Sequence, residues 1–173
     1  TKWVAERLVT AAALRGLPVT IHRAPFITGH TQTGAWNSDD FICRLVRGVI
    51  ALGAMPDLTA SMDLVPVDYV ARAITVLSRD PASAGQRFHL AARAEVPWSA
   101  LAGFLADQGQ AVRRLSYAEW LTLLPPLRGT DHPLAPFLAL FLEKSGPDRP
   151  TVPEVFLQSI HSRLDNTATT QRL

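Results

Sequence analysis

The chain has 173 residues, enough for one domain or a large part of one, and 47% of them are apolar, which excludes a disordered chain. Its 17 basic and 15 acidic residues leave a net charge of +2, so composition gives no case for nucleic-acid binding. A single cysteine excludes an internal disulfide, and the longest strongly apolar stretch is too short for a membrane span. We expect a cytoplasmic protein that binds neither membrane nor nucleic acid.

The chain opens with a pattern that is typical of an α/β step. The segment "TKWVAERLVTAAALRG" places apolar residues at helical spacing and ends at Gly16, just before Pro18. The segment "PVTIHRAPFITG" then alternates apolar and polar residues, which predicts a strand. The polar segment "HTQTGAWNSDDF" predicts a loop, and we expect Ser38 to cap the helix that follows it.

The next elements continue the alternation of helix and strand. The helix after the polar loop carries two apolar rows, includes Cys43 on its apolar stripe, and is expected to end at Gly53. The segment "SMDLVPVDYVARAITVLS" predicts a short strand and then a helix, with Asp68 as its expected cap. The segment "GQRFHLA" predicts another short strand. A buried, reduced Cys43 is the expectation.

The last third of the chain is more helical. The segments "VPWSALAGFLADQG" and "SYAEWLTLL" predict helices, the second with a capping box formed by Ser116 and Glu119, and "VRRL" between them predicts a strand. The segment "HPLAPFLALFLEKSG" is apolar nearly all round, which predicts a buried helix. A loop at 145–153 and a final helix, "EVFLQSIHSRL", follow. The division expected is an α/β sheet domain over 1–92 and a mostly helical part over 93–173.

Single residues carry little functional signal on their own. A lysine in a first helical turn, such as Lys2, is more often a solvated charge than a catalyst, and Arg23 suits a sheet-edge ion pair as well as a functional role. The five histidines are scattered, with no pair at metal-ligand spacing. The sequence therefore predicts no metal site.

The order of five segments is more informative than any one of them. "TKWVAE", "VTIHRAPFITGH", "TGAWNSDDF", "LVPVDYVARAI" and "FHLA" together resemble the extended short-chain dehydrogenase/reductase superfamily. Within it, the chain resembles the second half of a thioester reductase domain, the terminal unit of some nonribosomal peptide and polyketide synthetases. "TGAWNSDDF" is the most specific segment, and the closing "LDNTATT" is similar to a stretch late in these domains. The resemblance covers most of residues 1–92 and is thin across 110–155.

The resemblance implies a fold and a place within it. We expect the later part of a Rossmann-like parallel sheet domain and a mostly helical C-terminal substrate subdomain. Lys2 matches the family's lysine, and the tyrosine four residues before it would fall upstream of Thr1. The glycine-rich phosphate turn is expected upstream as well. The chain is therefore expected to be a C-terminal part, with the N-terminal half of the same domain as a partner.

The family's chemistry gives Lys2 a catalytic expectation. Hydride passes from NAD(P)H to a thioester carbonyl, and the tyrosine hydroxyl supports the oxyanion that develops. An adjacent lysine ammonium lowers the pKa of that tyrosine and can hydrogen-bond the nicotinamide ribose. The product is an aldehyde, reduced further to an alcohol in some members. NADPH is favoured by resemblance, NADH is not excluded, and the implied partner is an upstream carrier (thiolation) domain with a phosphopantetheine-bound acyl or peptidyl chain.

The resemblance also points to binding residues after the first predicted strand. Backbone groups that would meet the nicotinamide carboxamide lie at Ala24, Pro25, Phe26 and Ile27, and residues expected to contact the substrate are His30, Trp36 and Asn37. The chain departs from the family here, because Ala24 separates the arginine from the proline and Phe26 stands where a second basic residue is frequent.

Two alternatives stay open at this point. Another extended reductase, such as a sugar-nucleotide epimerase or dehydratase, would share the fold, although "TGAWNSDDF" and the apolar helical part argue against it. The chain could also be a non-catalytic substrate-lid and carrier-interaction module. The sequence does not settle the acyl substrate or the choice between two-electron and four-electron reduction.

Overall fold

The computed structural model describes residues 1–143 and 164–173. The helices are α1 (Lys2–Ala13), α2 (Phe41–Leu52), α3 (Val67–Arg79), α4 (Trp98–Asp107), α5 (Tyr117–Thr122), α6 (Leu138–Leu142) and α7 (Thr167–Thr170). The strands are β1 (Ile21–Arg23), β2 (Phe26–Thr28), β3 (Ala54–Pro56), β4 (Ser61–Met62), β5 (Leu64–Pro66), β6 (Arg87–His89), β7 (Val96–Pro97) and β8 (Arg113–Leu115). The loop predicted at 145–153 and the helix "EVFLQSIHSRL" lie outside the described residues.

The described residues form two compact units that interleave along the chain. The first unit contains residues 1–35, 63–95 and 164–173, and the second contains 36–62 and 96–143. This grouping differs from the expected division at residue 92. The reason is strand pairing, because β3 and β4, early in the chain, pair with β8 and β7 of the later part.

The first unit has the α/β character that the sequence predicts. β1 pairs with β6 and β2 pairs with β5, both in parallel. Its core is formed by apolar residues of β5, α3 and β6 and the residues after it: Val65, Val70, Ala73, Leu77, Phe88 and Leu90. α1 is amphipathic as predicted, and Gly16 follows it at a φ of 91°, but none of its residues is buried. The parallel pairs confirm the predicted α/β class.

The second unit packs helices around two short strand pairs. β3 and β8 are parallel, and β4 and β7 are antiparallel. The buried Trp98 and Trp120 donate their indole N–H groups to the carbonyls of Pro56 and Ala54. These hydrogen bonds join α4 and α5 to β3. The predicted capping box of Ser116 and Glu119 is present at the start of α5.

Local details of the second unit correct two expectations. Asp40, not Ser38, caps α2, because Asp40 directly precedes the helix and its Oδ1 accepts the N–H groups of Ile42 (2.9 Å) and Cys43 (3.2 Å). The apolar segment near 133–143 forms a 3₁₀ turn and the short α6 rather than one helix, although Leu138 of α6 is buried as predicted. None of the helices in the described ranges has the length and apolar character that a bilayer crossing requires.

Candidate functional site

The first candidate feature is the break between two parallel strand pairs. β1 ends at Arg23, whose carbonyl accepts the N–H of Leu90 (2.9 Å), and β2 begins at Phe26, whose N–H donates to the carbonyl of Asp63 (3.2 Å). Ala24 and Pro25 therefore lie between the two ladders. Such a break at the carboxyl end of a parallel strand is where open α/β sheets bind ligands.

Lys2 lies at the start of the helix that precedes β1. One turn later, Glu6 accepts hydrogen bonds from Arg23, with Nε at 3.1 Å from Oε2 and Nη2 on Oε1. The Arg23 guanidinium holds the pKa of the Glu6 carboxyl below its ordinary value. Residues four apart share a helix face, so Lys2 lies on the side of α1 that is tied to the end of β1.

His30 organises the loop that leaves β2. Its N–H donates to the carbonyl of Ala35 (2.9 Å), its carbonyl accepts from Gly34 (2.9 Å), and its Nδ1 accepts two further loop N–H groups. Asp68 closes the loop from outside, accepting the N–H (3.0 Å) and the hydroxyl (2.6 Å) of Thr31. These bonds lower the pKa of Asp68. Asp68 thus lies in the first turn of α3 without capping it, which corrects the expected cap.

Trp36 and Asn37 belong to the second unit. Asn37 shapes the turn before α2, because its Oδ1 accepts the N–H of Asp39 (3.0 Å) and its carbonyl accepts that of Asp40 (3.1 Å). The Trp36 Nε1 is buried and has no hydrogen-bond partner among the described residues. A buried donor without a partner is uncommon in folded proteins.

A cavity in the first unit was not anticipated from the sequence. It measures about 450 Å³, and its lining includes Leu64, Tyr69, Arg72, Ala92 and Asn166. Asn166 donates to the carbonyls of Ala91 (2.9 Å) and Ala92 (3.4 Å). It belongs to the "LDNTATT" segment, whose resemblance to the family was the sequence feature that could have pointed to this cavity. Within residues 1–143 and 164–173, no three His, Cys, Asp or Glu side chains gather as a metal site requires.

Of the predicted site residues, the first unit thus contains Lys2, Ala24, Pro25, Phe26, Ile27 and His30, and the second contains Trp36 and Asn37. The sequence did not predict the long-range hydrogen bonds of three side chains near these residues: Glu6, Asp68 and Asn166. Their partners are between 17 and 75 residues away along the chain, too distant for local patterns to reveal.

Comparison with known proteins bears on this arrangement. Residues 1–74 match the model of an NAD-binding family described as "Male sterility protein". The chain is 36% identical over 172 residues to an isonitrile lipopeptide synthase of Streptomyces coeruleorubidus, covering 98% of this chain and 11% of that protein. It is 35% identical over 147 residues to the large subunit of the L-2-aminoadipate reductase of Eremothecium gossypii, covering 83% of this chain and 10% of that protein.

A solved structure matches nearly the whole chain. The terminal R domain from the myxalamid PKS-NRPS biosynthetic pathway has a TM-score of 0.85 and 39% identity, covering 99% of this chain and 42% of that chain. The chain thus spans less than half of that domain and about a tenth of the two curated relatives. The chain belongs to the terminal reductase domains of nonribosomal peptide and polyketide synthetases, in the extended short-chain dehydrogenase/reductase superfamily.

Proposed function

We propose that this chain forms part of an NAD(P)H-dependent reductase that releases a carrier-bound acyl or peptidyl thioester as an aldehyde, or after a second reduction as an alcohol. The observation that carries the proposal is the likeness to a terminal R domain, at 39% identity over 99% of this chain. A likeness of this extent includes the break after β1 and the start of α1, where the proposed chemistry would take place.

The residues after β1 fit a nicotinamide carboxamide, which presents one donor group and one acceptor. Pro25 has no N–H and offers only its carbonyl, and the Phe26 N–H is already given to Asp63. The backbone donor for the carboxamide oxygen would then come from Ala24 or Ile27. When bound, the cofactor supplies the hydride. We favour NADPH over NADH on the family resemblance alone. Residues 1–173 contain no G-x-G-x-x-G turn that would bind the pyrophosphate of either cofactor.

Lys2 would act on the proton rather than on the hydride. Its ammonium, beside a tyrosine hydroxyl contributed from elsewhere in the intact protein, would lower the pKa of that hydroxyl. The hydroxyl would then donate to the oxyanion that develops on the thioester carbonyl, and the resulting thiohemiacetal would collapse to aldehyde and carrier thiol. Lys2 could also donate to the ribose of the cofactor. Its exposed position at the start of α1 leaves the ammonium available for both contacts.

The substrate would be a long, thin phosphopantetheine arm presented by a carrier domain. The Trp36 Nε1, which has no partner among residues 1–143 and 164–173, would donate to an amide carbonyl of the arm or of the acyl chain. His30 and Asn37 would act by stabilising their turns, since their polar atoms already accept hydrogen bonds from local backbone groups.

The cytoplasmic location stays a prediction from sequence. It is based on a single cysteine, Cys43, which is buried and free in α2.

The proposal is tested by product analysis with the intact protein that carries this chain. A carrier domain loaded with an acyl thioester is incubated with NADPH or with NADH, and the released product is identified by mass spectrometry. We expect aldehyde or alcohol, with cofactor oxidised in proportion. Release of free acid without cofactor oxidation would contradict a reductase. Carrier binding without any turnover would support the non-catalytic alternative instead.

A further inference from the structure

Four charged or titratable side chains lie close together beside the β1–β6 pair: Glu6 of α1, Arg23 of β1, and Arg87 and His89 of β6. Arg23 is held from one side by Glu6, through Nε at 3.1 Å and through Nη2. Its Nη1 lies 3.0 Å from the Nε2 of His89. Arg87 reaches the same Glu6 carboxylate at 3.6 Å but has no described contact of its own with His89. Arg23 thus joins α1, β1 and β6 through one guanidinium.

The contact with Arg23 determines which ring nitrogen of His89 carries the proton. A guanidinium can only donate, so Nε2 of His89 must accept and the ring proton must sit on Nδ1. Nδ1 lies 3.1 Å from the carbonyl oxygen of Asp165, to which it therefore donates. His89 thus continues one chain of hydrogen bonds that runs from Glu6 through Arg23 to the backbone at Asp165.

The end of β6 anchors the C-terminal segment, residues 164–170. The Thr169 hydroxyl is buried and donates to the carbonyl of His89 at 2.7 Å. The Asn166 amide donates to the carbonyls of Ala91 and Ala92. This segment is thus bound to the end of β6 by both the side chain and the backbone of His89. The hydrogen-bond chain connects it to the helix that carries Lys2.

We propose that Arg23 is a positioning residue, which couples the docking of residues 164–170 to the orientation of α1 and so to the placement of Lys2. The inference rests on the proposed reductase function. The Arg23 side chain is 42% exposed, and ion pairs at such positions contribute little to stability. The planar guanidinium instead fixes the direction of its hydrogen bonds, because Nε and Nη2 donate to Glu6 while Nη1 donates to His89. Arg23 therefore affects the orientation of α1 and the placement of Lys2 more than it affects the stability of the fold.

The test compares variants of the intact protein. Arg23→Gln removes the guanidinium, and His89→Leu removes the link to Asp165. His89→Gln is the conservative variant, because an amide can still accept from Arg23 and donate to the Asp165 carbonyl. Arg114→Gln, which breaks an exposed ion pair with Asp57 in the second unit, is the matched control. Turnover, the Michaelis constant for carrier-bound substrate and melting temperature are measured for each.

We expect Arg23→Gln and His89→Leu to lower kcat by about tenfold to a hundredfold, because a small misplacement of a catalytic group has effects of that size. The Michaelis constant for the carrier substrate should stay within about twofold, since substrate contacts are intact. His89→Gln should retain turnover, and Arg114→Gln should match the wild type.

Hydrogen exchange separates this inference from the proposed function. In Arg23→Gln, amides of both 1–13 and 164–170 should exchange faster than in wild type, whether or not a thioester is reduced. If wild type reduces no thioester, the proposed function has failed and the exchange result alone decides the coupling. Wild-type turnover in Arg23→Gln, exchange confined to one of the two segments, or a loss of turnover equal in His89→Gln and His89→Leu would overturn the inference.

Discussion

Gly48 in the middle of α2 gives the sharpest test of the packing. A Cβ built on Gly48 would lie 2.4 Å from Cγ and 2.8 Å from Cδ2 of Leu134. Leu134 is fully buried in the core of the second unit, which also contains Trp120 and Leu138, so any shift of its side chain disturbs that core. Gly48→Ala should therefore force the helix and Leu134 apart.

The size of the effect follows from two opposing terms. Overpacking of a filled core costs about 1–3 kcal/mol, and alanine regains about 1 kcal/mol of helix propensity over glycine. The difference between the two terms is a net loss of up to about 2 kcal/mol for Gly48→Ala. Gly103 in α4 is the matched control, because a Cβ there meets no atom within 4 Å. Gly103→Ala should gain about 0.5–1 kcal/mol.

Denaturant unfolding measures both variants against wild type, with the midpoint and the slope fitted separately. Opposite signs for the two substitutions are the expected result. Equal stabilisation by Gly48→Ala and Gly103→Ala would refute the close contact between α2 and Leu134.

Three further outcomes follow from the structure. Ser116→Ala should cost about 1 kcal/mol in denaturant unfolding, because it removes the cap of α5, and a change within error of zero would contradict the capping box. The lowered pKa of Asp68 means that its bonds to Thr31 persist at and above the ordinary carboxyl range and are lost only as the pH falls below it. The protection factor of the Thr31 amide, measured by NMR, should fall in acid, and a protection factor that does not change with pH would count against the contact. Trp36→Ala should raise the Michaelis constant for carrier-bound substrate and leave cofactor affinity near wild type, whereas loss of cofactor binding would make Trp36 a structural residue.

Local patterns in the sequence predicted the elements well. The apolar rows of α2 and the stop at Gly53 were readable because helix periodicity and a left-handed cap are local properties, and Gly53 has a φ of 63°. The capping box at Ser116 was readable for the same reason. The cap of α2 was misassigned to Ser38 because several polar residues precede the helix, and only the backbone geometry shows that Asp40 is the one next to it.

Longer-range features could not be read in the same way. Asp68 lies in a helix start where a capping role is the local expectation, but its partner Thr31 is 37 residues away. The pairing of β3 with β8 joins residues near 55 to residues near 114, which is why the units interleave instead of dividing at residue 92. The candidate site was predicted where a family resemblance supplied the residues. The contacts of Glu6 and His89 with Arg23 join distant parts of the chain, which no local pattern encodes.

The most direct test of the central claim is the turnover of Lys2→Ala in the intact protein with a carrier-bound thioester and NADPH. The matched control is Arg15→Ala, which removes an exposed basic residue just beyond the other end of the same helix. A thioester reductase that uses Lys2 for proton transfer predicts a fall in kcat of at least about a hundredfold for Lys2→Ala, with melting temperature unchanged and Arg15→Ala fully active. Aldehyde formation by Lys2→Ala at the wild-type rate would contradict the account.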